Sequence, residues 1–323
     1  MIRFTRRAAI AGATLAPFAV ARAQGTWPDK PVRLVVPFTP GGSTDILARA
    51  MGQRLGEIFN QPFIIDNRPG AGGTLGSEQV FRAAPDGQTL MMGHIGTLAA
   101  NPALYRNLNF DIGAFVPVAL VANVANFLAV TNRLEATDVQ TLIALAKQQP
   151  GILTYGSGGN GSAAHISMVA FMEATGTDMT HVPYRGTGPM MTDLISGTIN
   201  LTMTGGPPVL PPIRAGQLRG LGISSLERLP SAPEIPTIAS QGVAGFNVLQ
   251  WYGIVAPPGT PAAIVGRLNE ACNRILTEPP FRARLETEGA TADPMTPAQF
   301  GAYIARERDF WGTLIRRNNV SLG

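Results

Sequence analysis

The chain predicts an α/β protein of two lobes, each a mainly parallel sheet flanked by helices. Three observations carry that expectation. Short apolar runs alternate with amphipathic stretches along most of the 323 residues, the pattern of strand–helix–strand units. A strand–glycine–helix unit occurs twice, first around Gly41-Gly42 and again from Gly156 to Ser162. The length after the first two dozen residues exceeds one ordinary core, and 37 glycines with 27 prolines supply the turns that many short elements need.

Val32–Val36 reads as a buried strand ending on Pro40-Gly-Gly-Ser-Thr-Asp45. The next stretch places Leu47, Ala50, Met51, Leu55, Ile58 and Phe59 on one helical stripe. Phe63–Ile65 is a second strand, Ser77–Ala84 a helix stopped by Pro85-Asp86-Gly87, and Thr89–Met92 a third strand leading into Gly93-His94-Ile95-Gly96-Thr97. Phe127–Val130, Val139–Gln148 and Ile152–Tyr155 give strand, helix, strand. After the second glycine loop a helix buries Ile166, Val169, Ala170 and Ala174. Met179–Val182, Met190–Ile195, Ile199–Met203 and Leu218–Ile223 continue the alternation. From Val255 the chain turns mostly helical, over Pro261–Leu276, Phe281–Glu288 and a last stretch from Pro297.

The two glycine loops bear the chemistry. A strand that turns on glycines into a helix leaves several N–H groups unpaired, and the helix dipole adds about half a positive charge there. Such an end attracts anions. N–H groups from Gly158 to Ser162 form a nest for one carboxylate, with Ser157 and Ser162 hydroxyls adding directional bonds. Ser162 also reads as a helix cap. Gly41 and Gly42 let a ligand approach the first loop closely, Ser43 or Thr44 caps the following helix, and Phe38 is a candidate wall of the cleft. Asp45 beside a bound anion is repulsive, so it reads as structural.

Charge and leader narrow the class. Residues 1–23 carry Arg3, Arg6 and Arg7, then an apolar stretch from Ala8 to Val20, then Ala21-Arg22-Ala23. That is a signal peptide cut near Ala23, too short to span a bilayer, which needs roughly 20 residues. Thr5-Arg6-Arg7 partly matches a twin-arginine signal; a plain secretory signal is preferred. Setting aside the leader's four arginines, 21 basic residues face 21 acidic ones. No basic stripe for nucleic acid is present. Cys272, the single cysteine, sits at helical spacing as a small buried hydrophobe.

Two enzyme readings stand beside the binding one. Gly156-Ser-Gly-Gly-Asn-Gly161 satisfies G-x-G-x-x-G, yet no acid ends the following strand as a dinucleotide site requires. Ser162 and His165 lie three apart, which invites a hydrolase, but no G-x-S-x-G elbow occurs. His94, His165 and His181 lack metal-ligand spacing. No metal or cofactor is expected. Tyr184-Arg185-Gly186 follows a strand and is placed to reach the cleft.

Several motifs then resemble one family. They are Trp27-Pro-Asp-Lys-Pro-Val-Arg33, Val36-Pro-Phe-Thr-Pro-Gly-Gly-Ser-Thr-Asp45, Asp66-Asn-Arg-Pro-Gly-Ala-Gly-Gly73 and Asn101-Pro-Ala-Leu-Tyr105. Tyr155-Gly-Ser-Gly-Gly-Asn-Gly-Ser162 with His165, His181-Val-Pro-Tyr-Arg-Gly186, and Trp251-Tyr-Gly253 with Ala256-Pro-Pro-Gly-Thr-Pro261 complete the set. The chain resembles the periplasmic binding proteins of tripartite tricarboxylate transporters, the Bug-type receptors.

The resemblance implies a type II periplasmic binding protein, a Venus flytrap holding a small carboxylate between its lobes. Residues 24–123 plus 245–323 would form lobe 1 and residues 124–244 lobe 2. Its ligand contacts would come from Phe38, Thr39, Gly41, Gly42, Ser43, Thr97, Ser157, Gly158, Asn160, Gly161, Ser162, His165, Tyr184 and Thr204. Its partner would be the membrane part of a tripartite transporter. Many relatives carry an aspartate where this chain reads Met203-Thr204-Gly205-Gly206, so the ligand is expected to lack an amino group. The alternative is an exported enzyme, a hydrolase on Ser162 and His165 or a cofactor-dependent oxidoreductase.

Overall fold

The structure is a computed structural model describing residues 27–320 except 106, 288 and 319. The expected leader lies outside the described residues.

The first stretch runs β1 (Val32–Val36), α1 (Ser43–Phe59), β2 (Phe63–Asn67), α2 (Thr74–Phe81), β3 (Thr89–His94) and α3 (Asn101–Leu104). A 16-residue strand, β4 (Val116–Thr131), then leads to α4 (Val139–Gln148), β5 (Thr154–Ser157), α5 (Ala163–Thr175) and β6 (Thr180–Pro183). Next come α6 (Thr187–Ser196), β7 (Leu201–Gly205), α7 (Gly206–Arg214) and β8 (Leu218–Ile223). The last stretch holds β9 (Leu249–Ala256), α8 (Ala262–Thr277), α9 (Pro279–Thr287), β10 (Ala290–Thr291) and α10 (Pro297–Arg317).

Local chemistry sets the helix ends. Asp138 and Thr141 close a reciprocal capping box on α4, and Thr296 with Gln299 does the same for α10. Asn60 and Gly176 end α1 and α5 in the left-handed region. Burial does the rest: Val32, Leu34, Val35 and Val36 of β1 are fully enclosed.

The strand order is β2-β1-β3-β9-β4-β7-β5-β6, with β8 and β10 also pairing β4. β1 is parallel to β2 and β3, and β5 is parallel to β6 and β7. β9 is antiparallel to β3 and β4, and β4 is antiparallel to β7 and β8. The sheet is therefore mixed: each lobe keeps its own parallel strands, and strands passing between lobes return against them. β4 belongs to both halves. Val116–Ala125 pairs β9, whereas the stretch from Asn126 pairs β7 and β8.

One apolar cluster packs α1 and α8 onto β1, β3 and β9; a second lies beneath α6 and α7. The largest joins both halves through α5, α10 and Trp251. Glu307 ties that side together, accepting Nε1–H bonds from Trp251 at 2.8 Å and Trp311 at 3.1 Å.

Parallel strands end where ligands of open α/β sheets lie. Here the ends of β1 and β3 face those of β5, β6 and β7, and the two sides touch. Tyr105 Oη donates to the Asn160 carbonyl at 3.3 Å. Thr39 lies so close to Gly186 that a Cβ there would overlap its hydroxyl, and a Cβ on Gly72 would overlap the Asn160 carbonyl. The lobes are closed on one another. Among the described residues no helix is long and apolar enough to cross a membrane.

Candidate functional site: a cavity at three helix ends

Between the lobes lies a cavity of about 40 Å³, room for a small acid or a few waters. Three helices aim their first turns at it. Ser43 and Thr44 open α1, Ala163 and Ala164 open α5, and Thr187 opens α6; all five line the cavity. Gly42 and Gly186 cap α1 and α6 without any side-chain bond, so the first N–H groups stay free. At α5, Ser162 Oγ accepts the His165 N–H at 3.4 Å, while Ala163 and Ala164 remain toward the cavity. Three positive helix ends converge without any Lys or Arg on the wall among the described residues.

The floor is polar and neutral. His94 is fully enclosed, and burial holds its imidazole down to about 3. Its Nδ1 accepts the Gly96 N–H at 2.6 Å, so the ring proton resides on Nε2. Phe38 stacks on that ring with centroids 4.4 Å apart. Gln250, Tyr252 and Thr204 complete this side, and burial raises the Tyr252 phenol far above its usual range.

Asp45 stays off the cavity wall. Its carboxylate accepts from the Gly41 N–H at 3.1 Å, Arg49 Nε at 3.0 Å and Asn67 Nδ2 at 3.0 Å. Burial pushes its pKa up, but these donors outweigh burial and hold it below the ordinary value. The acid braces the first glycine loop.

The wall of this cavity includes Phe38, Thr39, Gly42, Ser43, Gly158, Ser162 and Thr204 from the sequence expectation. Asn160 and Tyr184 line an adjoining outer chamber. Five others stand elsewhere. Gly41 is exposed, its N–H engaged by Asp45. Thr97 is fully buried, exchanging bonds with the His94 backbone. Ser157 is fully buried with its Oγ 2.7 Å from His181 Nε2. Gly161 donates its N–H to His165 Nδ1 at 3.1 Å. His165 stacks on His181 at 4.1 Å, one layer behind the loop.

That layer has its own logic: Tyr155, His181 and His165 form a ring stack supporting the glycine loop from below. Burial lowers His165 to about 3, with His181 adding repulsion, and burial lowers His181 to about 4. Ser162 Oγ meets a backbone N–H rather than the His165 imidazole, so the hydrolase pair is not formed in this geometry.

Sequence reasoning missed His94, Thr187, Gln250 and Tyr252 as wall residues. The α6 end carried a usable signal, since Tyr184-Arg185-Gly186 is a third strand–glycine–helix turn. Gln250 and Tyr252 carried none, because an apolar strand does not reveal which alternate residue meets a cavity.

Relatives share this fold. Residues 47–320 match the model of the tripartite tricarboxylate transporter family receptor. BugT of Bordetella pertussis is 33% identical over 325 residues, covering 99% of this chain and 100% of BugT. The solved structure of Rpa4515 from R. palustris with adipate is 37% identical, with TM-score 0.88, covering 92% of this chain and all of that one. MatC from Rhodopseudomonas palustris with bound malate is 33% identical, with TM-score 0.85, covering 90% and 100%. The chain belongs to the tripartite tricarboxylate transporter receptor family, whose members are periplasmic solute-binding proteins.

Proposed function

We propose that this protein is a periplasmic receptor that captures a small carboxylate between its lobes and delivers it to the membrane part of a tripartite tricarboxylate-type transporter. One observation carries the reading: three helix N-termini meet in one cavity whose wall holds no formally charged side chain among the described residues. Partial positive ends and N–H donors without a competing anion suit a carboxylate. Relatives of the same fold hold adipate and malate.

A hydrogen bond to a charged group contributes about 1.5–3 kcal/mol. Three or four, less the ordering cost, approach the roughly −8 kcal/mol of micromolar binding. The contacts are made by the first turns of α1, α5 and α6, with Thr204 and Gln250 reading the rest of the ligand. Thr204 stands where a carboxylate would favour an ammonium, so the ligand lacks an amino group.

Lobe 1 comprises residues 24–123 and 245–323, and lobe 2 residues 124–244, hinged along β4 and the approach to β9. Ligand bound to both sides stabilises the closed form, which the transporter then reads. The protein carries its ligand unchanged; it is a receptor and not an enzyme. Residues 1–23 direct export and are removed.

Native mass spectrometry of the purified protein, followed by calorimetry with organic acids, tests this. A retained small acid, or micromolar binding of a simple acid without turnover, supports the reading. Chemical conversion of the bound acid, or no binding across a broad panel, contradicts it.

A further inference from the structure

A cavity of about 190 Å³ lies away from the cleft, between α10 and the paired strands β4 and β9. It shares no wall residue with the space at the three helix ends or with the adjoining chamber. Its walls are apolar. Leu98, Ile112, Phe115 and Val255 are buried, Pro117 stands opposite Val255 in the β4–β9 register, and Ile304 closes the α10 side. The volume suits one six-membered ring, since an apolar cavity of about 150 Å³ takes up benzene.

One side chain on this wall is charged: Arg308 of α10, which is half-buried. Its guanidinium is poorly served. Nη2 donates to the Leu98 carbonyl at 3.4 Å, and Nε is buried with no acceptor among the described residues. Among those residues no carboxylate pairs with it. Asp111 Oδ1 and Arg308 Nη1 both lie against Gly113, but that carboxylate accepts the Gly113 N–H at 2.7 Å. An arginine whose stem merely covers apolar surface keeps its head in water. Arg308 instead holds one donor of a charged group buried and without an acceptor, an arrangement that folded proteins seldom keep without a use. Leu98 belongs to a π-helical turn over Gly96–Ala100, a rare shape that collects at functional sites.

We infer that this cavity is a second binding site, separate from the cleft, for a small monocarboxylate built on one apolar ring. The ring fills the carbon-walled space, and the carboxylate accepts paired N–H bonds from Arg308. Both parts of the ligand are needed. A neutral molecule leaves the guanidinium unserved, and an anion without an apolar body gains nothing from the walls. The site goes beyond the receptor reading and holds or fails whatever the cleft takes up.

Benzoate and benzamide are the probes, matched in shape and differing in charge. Each is titrated calorimetrically into the purified protein, Arg308→Met and Arg308→Gln, and crystals of all three are soaked with benzoate. The crystals show which cavity is filled. In wild type benzoate lies beside Leu98 with its carboxylate on Arg308. Calorimetry counts one benzoate fewer in either neutral variant, so Arg308→Gln carries the test if Arg308→Met does not fold. The binding that disappears is about tenfold tighter for benzoate than for benzamide, as a hydrogen bond to a charged group supports. Benzoate confined to the cleft, or absent from wild-type crystals, overturns the site. Equal affinity of benzamide, or benzoate that stays in this cavity in a neutral variant, does so too. All of these leave the receptor reading to its own panel of acids.

Discussion

Gln250 Nε2 donates a hydrogen bond to Asn126 Oδ1, joining the cavity wall on β9 to the interior of β4. Asn126 is fully buried; its Nδ2 donates to the Val248 carbonyl at 2.8 Å and its N–H to Ser224 Oγ at 2.8 Å. On the cavity side, Tyr252 Oη donates to Gln250 Oε1. The chain of bonds therefore leads from the cavity floor into the strands that join the lobes.

Gln250→Ala breaks this chain and leaves Asn126 Oδ1, on a fully buried residue, without its donor. Unsatisfied buried groups cost about 1–3 kcal/mol. Denaturant unfolding is expected to show a loss of that size, and calorimetry a weaker affinity for whichever acid wild type binds.

Gly72→Ala tests closure. The residue has φ +61, and a Cβ there would overlap both the Asn160 carbonyl and Tyr105 Oη of the opposed surfaces. Circular dichroism should report a folded protein. Small-angle scattering should show no compaction on adding ligand, with affinity at least tenfold weaker.

Thr204→Asp tests selectivity. Thr204 lines the cavity, and a carboxylate there repels a simple acid but pairs with an ammonium. A thermal-shift panel is expected to move from simple acids toward amino acids such as aspartate or glutamate. Wild type preferring those amino acids would already contradict the argument.

The pH dependence separates binding from stability. His94, His165 and His181 are all depressed by burial, to about 3, 3 and 4. The unfolded chain takes up their protons near 6.5, and the folded protein does so only near 3 to 4. Their contribution is complete above about 6.5 and lost progressively as pH falls from there to about 3. Melting temperature should thus be level in this respect above neutrality and drop in that acid window. Binding of a simple acid should stay constant from about pH 6 to 8, since the cradle stays neutral there.

Much of this was legible in residues. Val32–Val36, Val139–Gln148 and Leu218–Ile223 coincide with their strands and helix, because buried β runs and a capped amphipathic helix leave clear periods. The strand over Phe127–Val130 proved to be the end of a 16-residue element. Its earlier part, buried on both faces and carrying Pro117, has no alternation to read. β9 was hidden for the same reason. α7 bears four prolines, including Pro211 and Pro212 within it, and nothing local announces a helix. At the site, the two glycine loops foretold the helix ends, yet Thr97, Ser157 and His165 proved to be the layer behind them. Spacing along a loop does not say which side chains turn inward.

In the proposed receptor, helix N-termini neutralise the bound carboxylate without a charged side chain. A crystal structure with a simple carboxylic acid tests it most directly. Carboxylate oxygens are expected within about 3 Å of backbone N–H groups at Ser43 or Thr44, at Ala163 or Ala164, and at Thr187. A carboxylate held by Lys or Arg alone, with those N–H groups facing water, would contradict it.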